Sequence, residues 1–219
     1  MYIERLSTSL PKNLKYGNDE HVISAIAKEA QHEAYLTKLG FKGDDVADKK
    51  HHGGIERAVC FYPHEHYSYW EEQFNLSLPK AAFGENITVS GLLEREVYLG
   101  NIYRVGDAMI QITQPRTPCR TIVQHTGIAD FLVHIIRTGF TGYLAKVLHE
   151  GTVFADSTIE LLEEPPIKIN ILRCNEIYYH ERENLSDVNQ LLQIESLAQE
   201  WRDMLNKRKQ QIKNKVARD

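Results

Sequence analysis

The chain has 219 residues, a formal net charge of −4 and 42% hydrophobic residues. These values are ordinary for a globular protein and argue against a disordered chain or a membrane protein. Its three cysteines, Cys60, Cys119 and Cys174, are too few and too widely spaced for a disulfide framework or a CxxC metal or redox pair. The sequence therefore predicts one large domain, or a domain with a small appendage, that carries reduced thiols.

The two ends of the chain indicate its environment. The first ten residues carry charge where a signal peptide needs an apolar segment, and no later run is long enough to span a bilayer, so we expect a cytoplasmic protein. Six Lys or Arg residues lie between positions 207 and 219 beside one acid. Since no aromatic residues alternate with these charges, they indicate a solvated helix end, and we expect no specific nucleic-acid site.

Short extended segments separated by turns occupy the first forty residues, and we predict strands at 2–6, 22–26 and 35–39. A polar segment, 44–54, follows and ends in Gly53 and Gly54, whose backbone can approach a ligand closely or take a positive φ. Residues 57–62 then predict a buried strand, in which Cys60 is interpreted as a packing residue.

A helix is predicted from His64 to Phe74, because Pro63 precedes a helical spacing of aromatic residues. Tyr67, Trp70 and Phe74 form a face that is expected to pack in the core. His64 and His66 point to nearly opposite sides of such a helix, so they are interpreted as solvated residues and not as a metal pair.

The middle of the chain predicts an antiparallel β meander. A turn at 83–86 leads into a strand, a hairpin is expected between 97–105 and 108–113, and two further strands are expected at 143–148 and 157–162. Residues 122–138 are predicted to be mostly helical. Short strands at regular spacing with glycine turns favour a mainly β fold built as a closed or nearly closed barrel.

The segment Glu163-Glu164-Pro165-Pro166 is the predicted domain boundary, because two prolines make a stiff connector. It divides the chain into a barrel domain, 1–165, and a C-terminal domain, 166–219. Apolar spacing predicts helices at 172–179, 185–192 and 197–205. Three helices in about fifty residues are marginal alone and are expected to dock on the barrel.

The segment Gln111-Ile-Thr-Gln-Pro-Arg-Thr-Pro-Cys119 is the strongest candidate for chemistry. A strand ends at two prolines that restrict the backbone, so Arg116 and Cys119 lie on a stiff loop. The guanidinium groups of Arg116 and Arg120 favour the thiolate of Cys119, which is the form that binds a metal or attacks an electrophile. Taken without its arginines and prolines, Cys119 would be interpreted as a buried structural cysteine.

Four segments in this order resemble a known family. They are Gly43-Asp44-x-x-Ala47-Asp48-x-x-x-His52-Gly53-Gly54-x-x-Arg57-Ala58-Val59, Phe83-Gly84-Glu85-Asn86-Ile87-Thr88, Tyr98-Leu99-Gly100 with Val105-Gly106, and Gln114-Pro115-Arg116-x-Pro118-Cys119. Together they resemble the MOSC domain, named for the C-terminal domain of molybdenum-cofactor sulfurases, over roughly residues 5 to 165. The helical end resembles the appendage of the YiiM-type subfamily. The segment 139–143 departs from that subfamily, which more usually has a bulkier aromatic turn.

The resemblance implies a barrel of the pyruvate-kinase insert type that binds a molybdenum pyranopterin cofactor (Moco), with Cys119 as the metal ligand. A soft thiolate suits this metal. Charged and backbone groups would bind the phosphate of the cofactor, and these are Lys28, Gly53, Arg57, Arg116 and Arg120. The pterin would be bound by His52, Asn86 and Thr88.

Two functions from different classes follow from this resemblance. The first is an oxidoreductase that reduces N-hydroxylated compounds, such as hydroxylaminopurines, to amines. The second is a carrier of sulfur or of the cofactor that uses the same cysteine, and it would need a second thiol nearby, which the local sequence lacks. A binding module without chemistry would leave Cys119 and its arginines unexplained. The chain has no flavin, haem or iron–sulfur motif, so a flavin or haem reductase is expected as electron donor. The sequence does not determine the oligomeric state.

Overall fold

A computed structural model of the protein describes residues 1–16, 20–49 and 52–217. Eight strands form one sheet in the order β13-β9-β10-β11-β7-β8-β1-β4. Their bounds are β1 (Tyr2–Thr8), β4 (Glu29–Ala30), β7 (Val59–Pro63), β8 (Ile87–Ser90), β9 (Ile102–Val105), β10 (Ala108–Pro115), β11 (Tyr143–His149) and β13 (Ile159–Glu163). All neighbours pair antiparallel except β7 and β8, which are parallel.

The sheet closes on itself between β1 and β13. Tyr2 forms an antiparallel bridge with Thr158, and the amide of Ile159 donates to the carbonyl of Met1 at 3.0 Å. A closed sheet leaves fewer backbone groups unpaired than an open one. The predicted mainly β barrel is therefore confirmed.

Alternation along the strands places apolar side chains inside the barrel. In β10 Ala108, Ile110 and Ile112 are buried, while Met109 and Gln111 are half-buried. The partner strand β11 repeats this pattern. This period of two is the one expected of a strand with one face on the core. The register shifts between Ile112 and Gln114, so the end of β10 is irregular just before the Pro-Arg-Thr-Pro-Cys loop.

Five further strands lie beside the barrel. They are the pair β2 (Lys12–Tyr16) and β3 (Glu20–Ser24), and the three-stranded sheet of β5 (Glu33–Thr37), β6 (Gly40–Phe41) and β12 (Gly151–Phe154). The sequence predicted strands near β1, β3 and β5 but missed β2, β4, β6 and β12. The missed strands have at most five residues, which is too short for a clear alternation.

Three helices pack against one side of the barrel, namely α1 (Glu65–Phe74), α2 (Arg120–Thr126) and α3 (Phe131–Thr138). Tyr67 and Trp70 are buried as predicted, in an apolar cluster with Phe83 and Phe131. The prediction that His66 is solvated was wrong. His66 is 5% exposed, because its ring stacks on Phe140 and is hydrogen-bonded to a buried carboxylate.

The C-terminal residues form the predicted three helical segments. Helix α4 (Ile171–Asn175) continues as a π-helical turn (Glu176–His180), and α5 (Leu185–Leu192) and α6 (Gln199–Val216) follow. Leu191, Trp201 and Leu205 belong to the same apolar cluster as the barrel interior. Burial of each large apolar side chain contributes roughly 1.5–3 kcal/mol, so the helices and the barrel stabilise one another. The boundary at residue 165 stays a prediction.

In the parts of the chain that the structure describes, no helix is both long and apolar enough to cross a membrane.

Candidate functional site

The site lies on the outer face of the barrel, across three neighbouring strands. Cys60 of β7 pairs with Leu144 of β11, and Leu144 pairs with Gln114 of β10. Directly paired residues point to the same face of a sheet. Cys60 and Gln114 therefore lie on one face, and Arg116 and Cys119 follow immediately after the end of β10.

The Pro-Arg-Thr-Pro-Cys loop is held at both ends. The amide of Arg116 donates to the carbonyl of Gly142 at 3.1 Å, which continues the pairing of β10 with β11 past Pro115. Cys119 is the N-cap residue of α2, with an extended backbone (φ −125°, ψ 161°), and its carbonyl accepts from the amide of Ile122 at 3.1 Å. Its thiol is half-buried against the aromatic cluster around Phe83 and Phe131. Hydrogen bonds on both sides of the two prolines therefore anchor the loop that carries Cys119.

Arg116 is the central cation of the site. Its Nη2 donates to the carbonyl of Phe83 at 2.7 Å, whereas its Nη1 is buried without a hydrogen-bond partner among the described residues. Loss of hydration lowers the pKa of Arg116, but its charge interactions with Cys119, Cys60 and then Glu85 raise it by more, so the net pKa lies above its usual value. An unpaired buried donor costs about 1–3 kcal/mol, and Nη1 is therefore the atom of the site that most needs an acceptor.

Cys60 belongs to this site as well. It is half-buried and lies near the guanidinium group of Arg116. Burial raises the pKa of its thiol to about 11, and the positive charge of Arg116 opposes that rise. Cys60 is therefore protonated at neutral pH. Its place in a buried strand predicts a packing residue, and no second thiol lies near Cys119 in sequence, because the two cysteines are 59 positions apart. Both lie near Arg116 only because β7, β11 and β10 are neighbours in the sheet.

A second group of polar residues lies beside Cys60 and is hydrogen-bonded within itself. Lys28 and Asp44 form an ion pair whose side chains are 5% and 12% exposed. Asn86 donates from Nδ2 to Asp44 Oδ2 at 2.8 Å and accepts at Oδ1 from the amide of Cys60 at 3.1 Å. Asp44 Oδ1 also accepts from the amide of Ser9 at 2.7 Å. We call Lys28, Asp44 and Asn86 the Asp44 network.

Thr88 and Glu85 form a neighbouring buried pair. Glu85 is fully buried, and its Oε1 accepts from the hydroxyls of Thr88 at 2.9 Å and of Tyr67 at 2.6 Å. Its Oε2 accepts from the amide of Phe83 at 3.2 Å, so Glu85 shapes the loop whose carbonyl binds Arg116. The predicted role of Thr88 toward a pterin is untested, and its hydroxyl is engaged inside the protein.

Arg57 connects the loop that contains Gly53 and Gly54 to the helical domain. Gly53 and Gly54 both have positive φ, +71° and +93°, which favours glycine at each position. The carbonyl of Gly53 accepts from Arg57 Nε at 2.9 Å. Arg57 Nη1 forms an ion pair at 2.7 Å with Glu200, in the first turn of α6. The helical domain therefore contributes a charged residue to the site.

Glu200 also connects this pair to β10. Its Oε2 accepts from Gln114 Nε2 at 3.2 Å, while Gln114 Oε1 is buried without a partner among the described residues. His52 is exposed nearby. Desolvation, followed by the positive charge of Arg116, lowers the pKa of His52 below its usual value, so its ring is neutral at pH 7.

Arg120 is exposed at the start of α2, one residue beyond Cys119, and it has interactions of its own. Tyr179 of the π-helical turn lies near Arg116 and Glu200. Burial, followed by the neighbouring Tyr178, raises the pKa of Tyr179 above its usual value, so its phenol is neutral at physiological pH.

The comparisons with known proteins agree with this architecture. Residues 48–160 match the MOSC domain family, and residues 171–211 match the YiiM-like 3-alpha helix domain. Protein YiiM of Escherichia coli is 38% identical over 190 residues, which are 85% of this chain and 84% of that protein. The chain belongs to the MOSC family.

Two further relatives extend this result. The crystal structure of YiiM from Geobacillus stearothermophilus superimposes with a TM-score of 0.79 at 33% identity, covering 94% of this chain and 98% of that one. A Gibberella moniliformis protein named "Reductase" is 33% identical over 163 residues, which are 71% of this chain and 28% of that longer protein. The MOSC domain and its three-helix appendage are thus both present here.

The structure brings most of the predicted site residues into one region of this MOSC domain. They differ in whether their polar atoms have partners within the protein. The side-chain polar atoms of Lys28, Arg57, Asn86 and Thr88 are hydrogen-bonded or ion-paired inside the protein. Arg116 keeps one buried donor without a partner among the described residues. Sequence reasoning missed Asp44 and Glu200, the acids that pair with Lys28 and Arg57. Asp44 lies inside a quoted motif, whereas Glu200 lies 81 positions beyond Cys119 and had no local signal.

Within the described residues, no group of three or more His, Cys, Asp or Glu side chains is placed to hold a metal ion. A metal bound at Cys119 would therefore take most of its ligands from a cofactor and not from the protein.

Proposed function

We propose that this MOSC protein is an oxidoreductase that reduces N-hydroxylated compounds, such as hydroxylaminopurines, to amines with a molybdenum pyranopterin cofactor. Its electrons would come from a flavin or haem reductase. Membership of the MOSC family and the relative named "Reductase" support a redox function. The site supports it chemically, because it presents a thiol beside a buried guanidinium.

The unpartnered Nη1 of Arg116 is the observation that carries this proposal. A buried donor on a cation is satisfied best by a charged or strongly polar acceptor, such as an oxygen of the cofactor phosphate or pterin. Cys119 would bind the metal, since a thiolate is the ligand that this soft site offers. The residues present therefore fit the cofactor at Arg116 and Cys119. Lys28, His52, Gly53, Arg57, Asn86, Thr88 and Arg120 would complete its surroundings.

The net reaction takes two electrons and two protons, converts R–NHOH to R–NH₂ and releases water. The bound cofactor would supply a metal that changes its oxidation state by two electrons. Arg116 would bind and orient, and it would not donate protons, because its pKa is raised above an already high value. Cys60 stays protonated at neutral pH and would not compete with Cys119 for the metal.

The test uses protein produced with cofactor synthesis intact, together with a competent electron donor. We expect molybdenum in the purified protein and conversion of a hydroxylaminopurine to the aminopurine, and both Cys119→Ser and Cys119→Ala should abolish turnover. Cys174→Ala is the matched control, since Cys174 is fully buried in the helical domain. X-ray absorption should show one sulfur fewer at molybdenum in Cys119→Ala. An unchanged sulfur count would refute the ligand assignment.

A second candidate is a carrier that holds sulfur as a persulfide on Cys119 or transfers the cofactor to another protein. The position of Cys60 favours it, because a sulfur relay needs a second thiol and Cys60 shares Arg116 with Cys119. Labelled sulfur that passes from Cys119 to an acceptor protein would support the carrier, provided that the molybdenum-loaded protein leaves several N-hydroxylated compounds unchanged.

A further inference from the structure

A buried hydrogen-bonded pair lies behind the site and takes no part in the chemistry proposed above. His66 Nε2 and Glu94 Oε2 are 2.6 Å apart, and the two residues are 5% and 2% exposed. Burying an imidazole and a carboxylate is costly unless both are paired. Two apolar side chains in place of His66 and Glu94 would cost less desolvation free energy. The role of the pair therefore has to be sought in the contacts that only polar groups make.

The second oxygen of Glu94 holds a turn. Oε1 accepts from the amide of Gly142 at 2.8 Å, and the ring of His66 stacks on Phe140 with centroids 3.8 Å apart and planes within 9°. Gly142 has a φ of +70°, and a Cβ there would lie 2.4 Å from the carbonyl of Phe61, so the turn has no room to move toward β7. The pair therefore holds residues 140–142 from two directions.

The Phe140–Gly142 turn also fixes the backbone of Arg116 by a hydrogen bond. The carbonyl of Gly142 accepts from the amide of Arg116 at 3.1 Å, so Glu94 reaches Arg116 through a single intervening residue. Asn175 of the helical domain supports the same turn by donating to Gly139 O and Thr141 Oγ1, both at 2.9 Å.

The side chain of Arg116 is held by the same cluster. Its Nη2 donates to the carbonyl of Phe83, whose ring stacks on Tyr62 at 3.6 Å. The hydroxyl of Tyr62 donates to the carbonyl of Phe140 at 3.3 Å. Both attachments of Arg116, backbone and guanidinium, therefore lead to the turn that His66 and Glu94 hold.

We infer that His66 and Glu94 form a positioning pair, which sets where the Arg116 guanidinium stands relative to Cys119 by holding the Phe140–Gly142 turn. The inference rests on the proposed roles of Arg116 and Cys119. It assigns His66 and Glu94 no contact with substrate or cofactor. Its consequence is that a change at Glu94 loosens the backbone of Arg116 without touching it, because the turn that accepts from the Arg116 amide then loses the acceptor of its own Gly142 amide.

The experiment uses cofactor-free protein and measures the rate of hydrogen exchange at the Arg116 amide by mass spectrometry. Glu94→Leu removes the acceptor for Gly142, and we expect exchange at Arg116 to become about fivefold to tenfold faster. Glu94→Gln keeps an oxygen for that amide and should stay within about twofold of the wild-type rate. This rescue separates the hydrogen bond from the charge.

A matched control removes stability without touching the turn. Ile110→Ala opens a cavity inside the barrel, where Ile110 is 1% exposed, and should lower the melting temperature but leave the exchange rate of the Arg116 amide unchanged. Folded Glu94→Leu protein with the wild-type exchange rate would overturn the inference. An equal acceleration in Ile110→Ala would also overturn it, because general loosening would then explain the effect.

A milder variant covers the case in which Glu94→Leu does not fold. Phe140→Ala removes the ring on which His66 stacks, and we expect hydrogen exchange at the Arg116 amide to become about twofold to fivefold faster. A wild-type exchange rate would contradict the positioning role. Since none of these measurements uses the cofactor, failure of the inference is distinct from failure of the proposed function, which would appear as molybdenum-loaded wild-type protein inert toward N-hydroxylated compounds.

Discussion

The two halves of the site, the Asp44 network and the region around Arg116, contain similar polar residues. They differ in how many of their polar atoms are hydrogen-bonded within the protein. In the Asp44 network, Lys28 is ion-paired and both ends of the Asn86 carboxamide are engaged by protein groups. On the other side, Arg116 Nη1 and Gln114 Oε1 are buried without partners in the described part of the chain. Buried polar groups are almost always hydrogen-bonded in native proteins. The Asp44 network is therefore a structural element of the protein, whereas the Arg116 side keeps hydrogen-bonding atoms that a ligand could use.

The largest effect on the site is expected when the helical domain is removed. A chain that ends at Pro165 loses Glu200, the partner of Arg57, and exposes the apolar side chains that pack against Trp201 and Leu205. We expect it to lose cooperative thermal unfolding, as followed by circular dichroism. A chain that ends at Ile212 is the control and should melt normally, since residues 213–217 are exposed. A cooperative melt of the 1–165 chain at the wild-type temperature would show that the barrel folds independently.

The next largest effect is expected in the Asp44 network. Asp44→Asn leaves Lys28 as a buried charge without its counter-ion, and loss of one partner of a buried pair costs about 3–5 kcal/mol. Urea denaturation measures this loss of unfolding free energy. The exposed pair of Arg104 and Glu160 provides the matched control, because Glu160→Gln should cost at most about 1 kcal/mol. Equal values for the two variants would mean that the network is not a structural element of the protein.

Arg116→Gln tests the half of the site that contains the unpartnered donor. A charge-assisted hydrogen bond to a phosphate or pterin oxygen is worth about 1.5–3 kcal/mol. We therefore expect cofactor retention to fall by about tenfold to a hundredfold, as measured by molybdenum content after dialysis. Arg120→Gln tests the exposed neighbour, and a larger loss there than in Arg116→Gln would move the principal cofactor contact out to the start of α2.

The smallest expected effect concerns the thiol that both halves share. Burial raises the pKa of Cys60 to about 11, so its thiolate fraction at neutral pH is minor and increases about tenfold per pH unit below that value. Alkylation of Cys60 should follow this increase between pH 7 and 9.5. Because the folded protein holds this proton more tightly than the unfolded chain, the associated stability is complete below pH 9 and decreases as the pH rises toward 11. A flat alkylation profile would contradict the assigned environment.

The sequence alone determined the barrel and the three C-terminal helices, and it predicts that the Pro-Arg-Thr-Pro-Cys loop carries the chemistry. These features depend on local information, namely alternation along β10 and β11, helical spacing in α5 and α6, and prolines that restrict the backbone around Arg116. The four motifs also sufficed to indicate the MOSC family.

Only the tertiary structure decided which polar residues have partners. Cys60 and Cys119 share Arg116 because β7, β11 and β10 are neighbours in the sheet, and Arg57 meets Glu200 because the helical domain packs on the barrel. His66 looked solvated on its helix and proved buried, since its partner Glu94 is 28 positions away in sequence. Pairing of buried charges depends on distances through space, and a single sequence carries no local pattern for contacts that only the packing of distant segments creates.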